Sequence, residues 1–145
     1  MRSLLLVAHG SRRAESNAEI GRLAARVAER ANERFEVVEH AFLELAEPSI
    51  PEGIERCLSK GASSVAVVPY FLARGTHVAD DIPEQVAVAQ RANPGADIRI
   101  TDYLGTSEAL VDVLVGLAEQ PAAGEETGDA AGTTRANGAT SGQAH

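Results

Sequence analysis

A chain of 145 residues, 44% hydrophobic and 23% charged, is long enough to bury a real core as one domain. A net charge of −8 and an aromatic content of 3%, with no Trp, argue against nucleic acid or an anionic membrane as partner. The one cysteine, Cys57, excludes an internal disulfide and fits a reducing compartment.

No apolar stretch approaches the roughly 20 residues that a membrane span needs. The run Leu4–Ala8 is also too short for a signal-peptide core and leads into Arg12 and Arg13. A cytoplasmic protein is expected.

The first element is a continuous apolar strand over 3–8, of the kind buried on both faces of a parallel sheet. Residues 15–34 carry Ile20, Leu23, Ala24, Val27 and Ala31 at helical spacing, with charged residues on the other faces. A second strand is expected over 35–45, with Glu44 near its C-terminal end. A short helix follows over 51–60, entered by Pro51, capped by Gly61 and turning Ile54, Cys57 and Leu58 inward.

"SSVAVVPYF" reads as the third strand, with Pro69 ending its regular pairing. A loop over 72–79 precedes a helix to about Ala92, whose apolar stripe is Ile82, Val86 and Ala89. A fourth strand over 97–103 and a helix over 107–119, with Leu110, Leu114 and Leu117 inward, complete the pattern. From Pro121 the composition turns to Ala, Gly, Thr, Ser and acidic residues without apolar periodicity. Residues 121–145 therefore read as a disordered tail to a domain over 1–120.

Such βα alternation implies an α/β fold: a four-stranded parallel sheet flanked by helices. Ligands in such sheets bind in the crevice at the C-terminal ends of the strands. Three polar residues fall there, His9, Glu44 and His77, each from a different strand. Two imidazoles and a carboxylate on one rim can hold a borderline divalent metal and accept protons near neutral pH. Taken singly, each has an ordinary reading. A histidine after a strand bonds its own loop, and a glutamate at a strand end faces water.

The turn "GSRR" also admits two readings. Gly10 and Ser11 offer N–H groups to an anion, with Arg12, Arg13 and later Arg74 as carboxylate- or phosphate-binding forks. Alternatively the arginines pair on the surface with Glu15 or Glu19. In "ARGTH", Gly75 loosens the loop before His77. Thr76 is placed to cap the next helix, with Asp80 and Asp81 in its first turn. His40 lies mid-strand and reads as a face residue, and Cys57 as inert core.

"LLVAHGSRR", "AFLELAEPSI", "VAVVPYFLARGTHVADDIP" and "YLGTSEAL", in this order, resemble the small CbiX-type class II chelatases over about residues 3–118. These insert cobalt, iron or nickel into sirohydrochlorin, a reduced tetrapyrrole. The resemblance implies a flavodoxin-like domain and, because larger relatives carry two such domains, a homodimer with the cleft between subunits. It implies that His9 and His77 handle the metal and that Glu44 is the acid of the "FLELAEP" segment. For an anionic macrocycle as substrate, Arg12, Arg13 and Arg74 are expected to hold its peripheral carboxylates, with Ser11, Gly75 and Thr76 of the same two loops as further substrate-binding residues. Where many members have Gly-Pro-His, this chain has Gly105, Thr106 and Ser107, so a histidine is absent there.

The function expected is ATP-independent insertion of Co2+, Fe2+ or Ni2+ into sirohydrochlorin, for cobalamin or siroheme synthesis. The metal is then a substrate, and no cofactor is permanently bound. Two rival readings use the same residues. One is a metal or tetrapyrrole carrier without turnover; the other is a phosphotransfer domain using His9 and the "GSRR" turn.

Overall fold

The computed structural model describes residues 1–122, so the expected tail lies outside it apart from Pro121 and Ala122. The described chain divides into one unit over Met1–Thr106 and a second beginning at Ser107. In the first unit the order is β1 (Arg2–Ala8), α1 (Ala14–Arg30), β2 (Val37–Phe42), α2 (Ile50–Ser59) and β3 (Ser64–Pro69). A π-helical turn (His77–Asp81), α3 (Ile82–Ala92), β4 (Asp97–Ile100) and a 3-10 turn (Leu104–Thr106) complete it. All four strands are parallel, in the order β2-β1-β3-β4. No helix of the described residues is long and apolar enough to cross a membrane.

The sheet forms where the sequence is most apolar. Leu5 and Val7 of β1 and Val65 and Val67 of β3 are fully buried. They share a cluster with Ile50, Ile54 and Cys57 of α2 and with Ile82, Val86 and Ala89 of α3. Each such aliphatic side chain contributes about 1.5–3 kcal/mol by leaving water. Cys57 is core, as expected, and burial pushes its thiol up from the ordinary range. Along β2 the side chains alternate, so His40 faces away from Ala41 and α2. Its ring lies beside Gly21 of α1, on the other face of the sheet.

Helix ends follow local chemistry. Ser49 and Glu52 cap α2 reciprocally: Ser49 Oγ accepts the Glu52 N–H at 3.2 Å, and Glu52 Oε1 accepts the Ser49 N–H at 2.9 Å. Pro51 stands in the first turn, and Gly61 leaves the helix with φ +103°.

Several expected boundaries move inward. Helix α1 ends at Arg30 rather than 34, because the N–H groups of Arg34 and Phe35 both turn back to the Ala31 carbonyl. Strand β2 ends at Phe42 rather than 45, where the chain bends and the Phe42 N–H bonds Pro48. β4 ends at Ile100 rather than 103.

The second unit holds α4 (Ala109–Glu119). Leu114, expected inward, is 58% exposed, and no residue of this helix is buried. Its apolar residues Val111, Val113, Leu114 and Val115 run in near-continuous sequence, which spreads them around the helix rather than along one stripe.

Candidate functional site

Parallel register sets the rim. Ala8 pairs with Phe42 and Val7 with Pro69, so β1, β2 and β3 end at nearly the same level. His9 follows β1 directly, Glu44 lies two residues beyond β2, and His77 opens the π-helical turn after β3. Adjacent strands thus deliver Glu44, His9 and His77 side by side. The strand order reverses between β1 and β3, and such switch points are where open α/β sheets bind ligands.

The three side chains converge. One ligand atom from each of His9, Glu44 and His77 lies within 4.8 Å of the others. His9 Nε2 is 2.9 Å from Glu44 Oε2, and the two imidazole rings meet edge to face with centroids 4.8 Å apart. His9 Nδ1 lies 2.9 Å from the Gly10 carbonyl, so both of its nitrogens face oxygen acceptors. His77 Nδ1 is 2.8 Å from Asp81 Oδ2. All three cluster members are partly open to solvent, so three ligand atoms are gathered with an approach left for a fourth partner.

The backbone around the cluster is built to allow this approach. Gly10 has φ +100°, and a Cβ there would overlap the Glu44 carbonyl oxygen and lie 3.3 Å from Phe42 Cβ. The Glu44 N–H in turn bonds the His9 carbonyl at 3.0 Å. Leu45, immediately after Glu44, occupies the left-handed region at φ 69°, a conformation disfavoured for a branched side chain.

The flanking residues divide. Arg12, Arg13 and Arg74 are exposed and form no ion pair among the described residues. The alternative pairing of Arg12 or Arg13 with Glu15 or Glu19 does not occur among the described residues, and Glu15 instead holds Arg22 at 2.8 Å. Ser11 is drawn into the turn instead of leaving its amide open to an anion. Its N–H bonds Asn17 Oδ1 at 3.0 Å, its carbonyl accepts from Asn17 Nδ2 at 2.8 Å, and its hydroxyl accepts the Arg13 N–H.

Thr76 caps nothing with its side chain, and Asp81 at the start of α3 makes no capping bond either. Both were expected as helix-start residues. Gly75 takes φ +43° with open space around it, consistent with the loose loop expected there. His77 stands on a helical turn rather than in the loop that the spacing suggests. Asn17 and Asp81 are contributors that spacing alone does not reveal. Gln85 is a third, since its Nε2 donates to the Leu43 carbonyl at 3.2 Å and ties α3 to the segment that bears Glu44.

The CbiX family model matches residues 3–120. A chloroplastic sirohydrochlorin ferrochelatase of Arabidopsis thaliana is 39% identical over 111 residues, 77% of this chain and 48% of that protein. A sirohydrochlorin cobaltochelatase of Sulfolobus acidocaldarius is 34% identical over 127 residues, 88% of this chain and 98% of that one. Among solved structures, the sirohydrochlorin chelatase SirB from Bacillus subtilis subspecies spizizenii, in complex with cobalt, superposes with a TM-score of 0.72. It is 33% identical and shares 81% of this chain with 49% of its own. The chain thus spans about half the length of the plant ferrochelatase and of SirB.

Proposed function

We propose, from the premise that this chain belongs to the CbiX family, that it is an enzyme inserting a divalent metal into sirohydrochlorin. The observation that carries the reading is the convergence of His9, Glu44 and His77, whose ligand atoms lie within 4.8 Å of one another. Support for the substrate comes from relatives named as sirohydrochlorin ferrochelatase and cobaltochelatase. Cobalt and iron are the metals of those names. Nickel, which the same imidazole and carboxylate donors accept, completes the set.

Metal insertion removes two pyrrole protons and strips water from the ion. In this reading His9 and His77 hold the incoming metal through imidazole nitrogen. Glu44, 2.9 Å from His9, takes up and passes on the protons released. An open set of three donors suits transient holding, since a closed four-ligand cage would not release its ion. The metal is therefore substrate rather than resident cofactor, and no ATP is consumed.

Arg12, Arg13 and Arg74, unpaired among the described residues, supply local positive charge to the macrocycle's carboxylates on an otherwise acidic protein. Gly75 and Thr76 lie in the loop of Arg74 and complete the substrate contacts, with Ser11 contributing only its hydroxyl hydrogen, since its amide is held by Asn17. The catalytic unit is residues 1–120. A homodimer is the assembly proposed, and Val111, Val113, Leu114 and Val115, each more than half exposed on α4, offer apolar surface for it. A cytoplasmic location fits the single free cysteine, and a role in cobalamin or siroheme synthesis fits the cobalt and iron of the relatives' names.

The test is a metal-insertion assay followed by the absorbance change of sirohydrochlorin, with each metal at limiting free concentration. Turnover that is lost in His9→Ala and His77→Ala supports the reading. Folded variants that keep the full rate overturn the site, and metal binding without turnover by the native chain would make it a carrier instead.

A further inference from the structure

We propose that Asp81 is a positioning residue for this site: it holds His77 with the proton on Nδ1, so that Nε2 is the nitrogen offered to the metal. The inference rests on the chelatase reading above and adds a residue to its machinery.

Asp81 ends the π-helical turn in helical φ/ψ, leads straight into α3 and makes no capping bond with its side chain. Its Oδ2 lies 2.8 Å from His77 Nδ1. An ionised carboxylate only accepts, so Nδ1 must donate, and a neutral imidazole with its proton on Nδ1 carries its lone pair on Nε2. Among the described residues Nε2 of His77 makes no hydrogen bond or ion pair.

The backbone supports a dedicated arrangement. His77–Asp81 is a π-helical turn in which the Ile82 N–H reaches back five residues to the His77 carbonyl. Such turns are rare and concentrate at functional sites. An ordinary surface pair four residues apart on a helix adds little and orients no further group. This one sits behind an imidazole whose ring meets that of His9 at 4.8 Å and which belongs to the three-residue cluster. A carboxylate behind a metal-binding histidine fixes the ring and strengthens its donor nitrogen. His9 has only the neutral Gly10 carbonyl in the corresponding place.

Long-range proton–nitrogen NMR of the metal-free full chain at about pH 9, above the ordinary imidazole range, reads the tautomer directly. His77→Gln assigns the signal. The native chain and Asp81→Asn, whose amide oxygen still accepts, should show His77 protonated on Nδ1, while Asp81→Ala should move that proton toward Nε2. Titration with Co2+ should then show affinity falling about tenfold or more in Asp81→Ala and largely restored in Asp81→Asn. A native His77 protonated on Nε2 overturns the proposal, as does native Co2+ affinity in Asp81→Ala. The two readings fail separately. A native chain that leaves sirohydrochlorin unmetallated, yet keeps the Nδ1 signature, sinks the chelatase reading and leaves the orientation standing.

Discussion

A side chain at Gly10 would occupy the space of the Glu44 carbonyl oxygen, so the turn after β1 and the segment after β2 touch through the one residue type without a Cβ. That contact brings Glu44 beside His9. Gly10→Ala combines an overlap with backbone and a φ of +100°, and it should cost about 2 kcal/mol or more. Chemical denaturation should show the lower midpoint with an unchanged slope. Metal insertion should fall further than stability does, since displacing Glu44 spoils the cluster. A variant with the native midpoint would show that the two segments can part freely.

The three arginines make a prediction that is separable from the histidines. Arg12, Arg13 and Arg74 are exposed, so each ion pair with a substrate carboxylate is screened and worth at most about 1 kcal/mol. Replacing each by Gln should raise the apparent KM for sirohydrochlorin by up to about fivefold and leave kcat nearly unchanged. Raising the ionic strength should weaken the native enzyme more than the triple variant. A KM that does not respond in the triple variant would return these residues to plain surface charge.

Much of this site was legible because it is written in strands. The short run "LLLVA", followed by βα alternation, reads as a buried parallel strand, and a histidine straight after such a strand stands on the sheet's C-terminal rim. The same reasoning placed Glu44, although the strand stops two residues before it and a bend carries it the rest of the way. Pro51 announced α2, and the Ser49–Glu52 spacing carried a further signal of its start. The π-helical turn was not legible, because one extra residue in a helical turn has no composition of its own. Asp81 accordingly reads, with Asp80, as a first-turn acid of the next helix, and only the distance to His77 shows where its carboxylate went. In α4, apolar residues on both sides of Asp112 leave no single stripe for the sequence to reveal.

His40 predicts a pH dependence of stability away from the site. Its ring is half-buried on the α1 face, edge to face with Phe42 at 5.5 Å. Burial holds it below its ordinary value of 6.5; Glu39 opposes that shift and Arg56 adds to it. The folded state therefore favours the neutral ring. Its contribution is fully present above pH 6.5 and is lost as pH falls from there through the lowered value, where the unfolded chain binds the extra proton. Unfolding free energy measured against pH should rise across this window in the native chain, and His40→Gln should flatten that part of the curve. A curve of the same slope in both would mean that the ring is protonated without cost.

Glu44 separates chemistry from packing. Its carboxylate is 52% exposed and its partner His9 is 42% exposed, so the pair adds little to stability, about 0–1 kcal/mol. Glu44→Gln keeps the shape and the reach to His9 but removes a group that can take up a proton or carry charge toward a cation. Thermal unfolding should therefore change by no more than a few degrees, while kcat for metal insertion should fall about 100-fold, as for loss of a general base. KM for the tetrapyrrole should move little if the arginines, as proposed, hold its carboxylates. If Glu44 merely props His9 in place, the glutamine does the same and kcat stays near the native value. If it carries protons away from the macrocycle, the amide cannot replace it, and activity is lost in a protein that is folded and still binds its substrate.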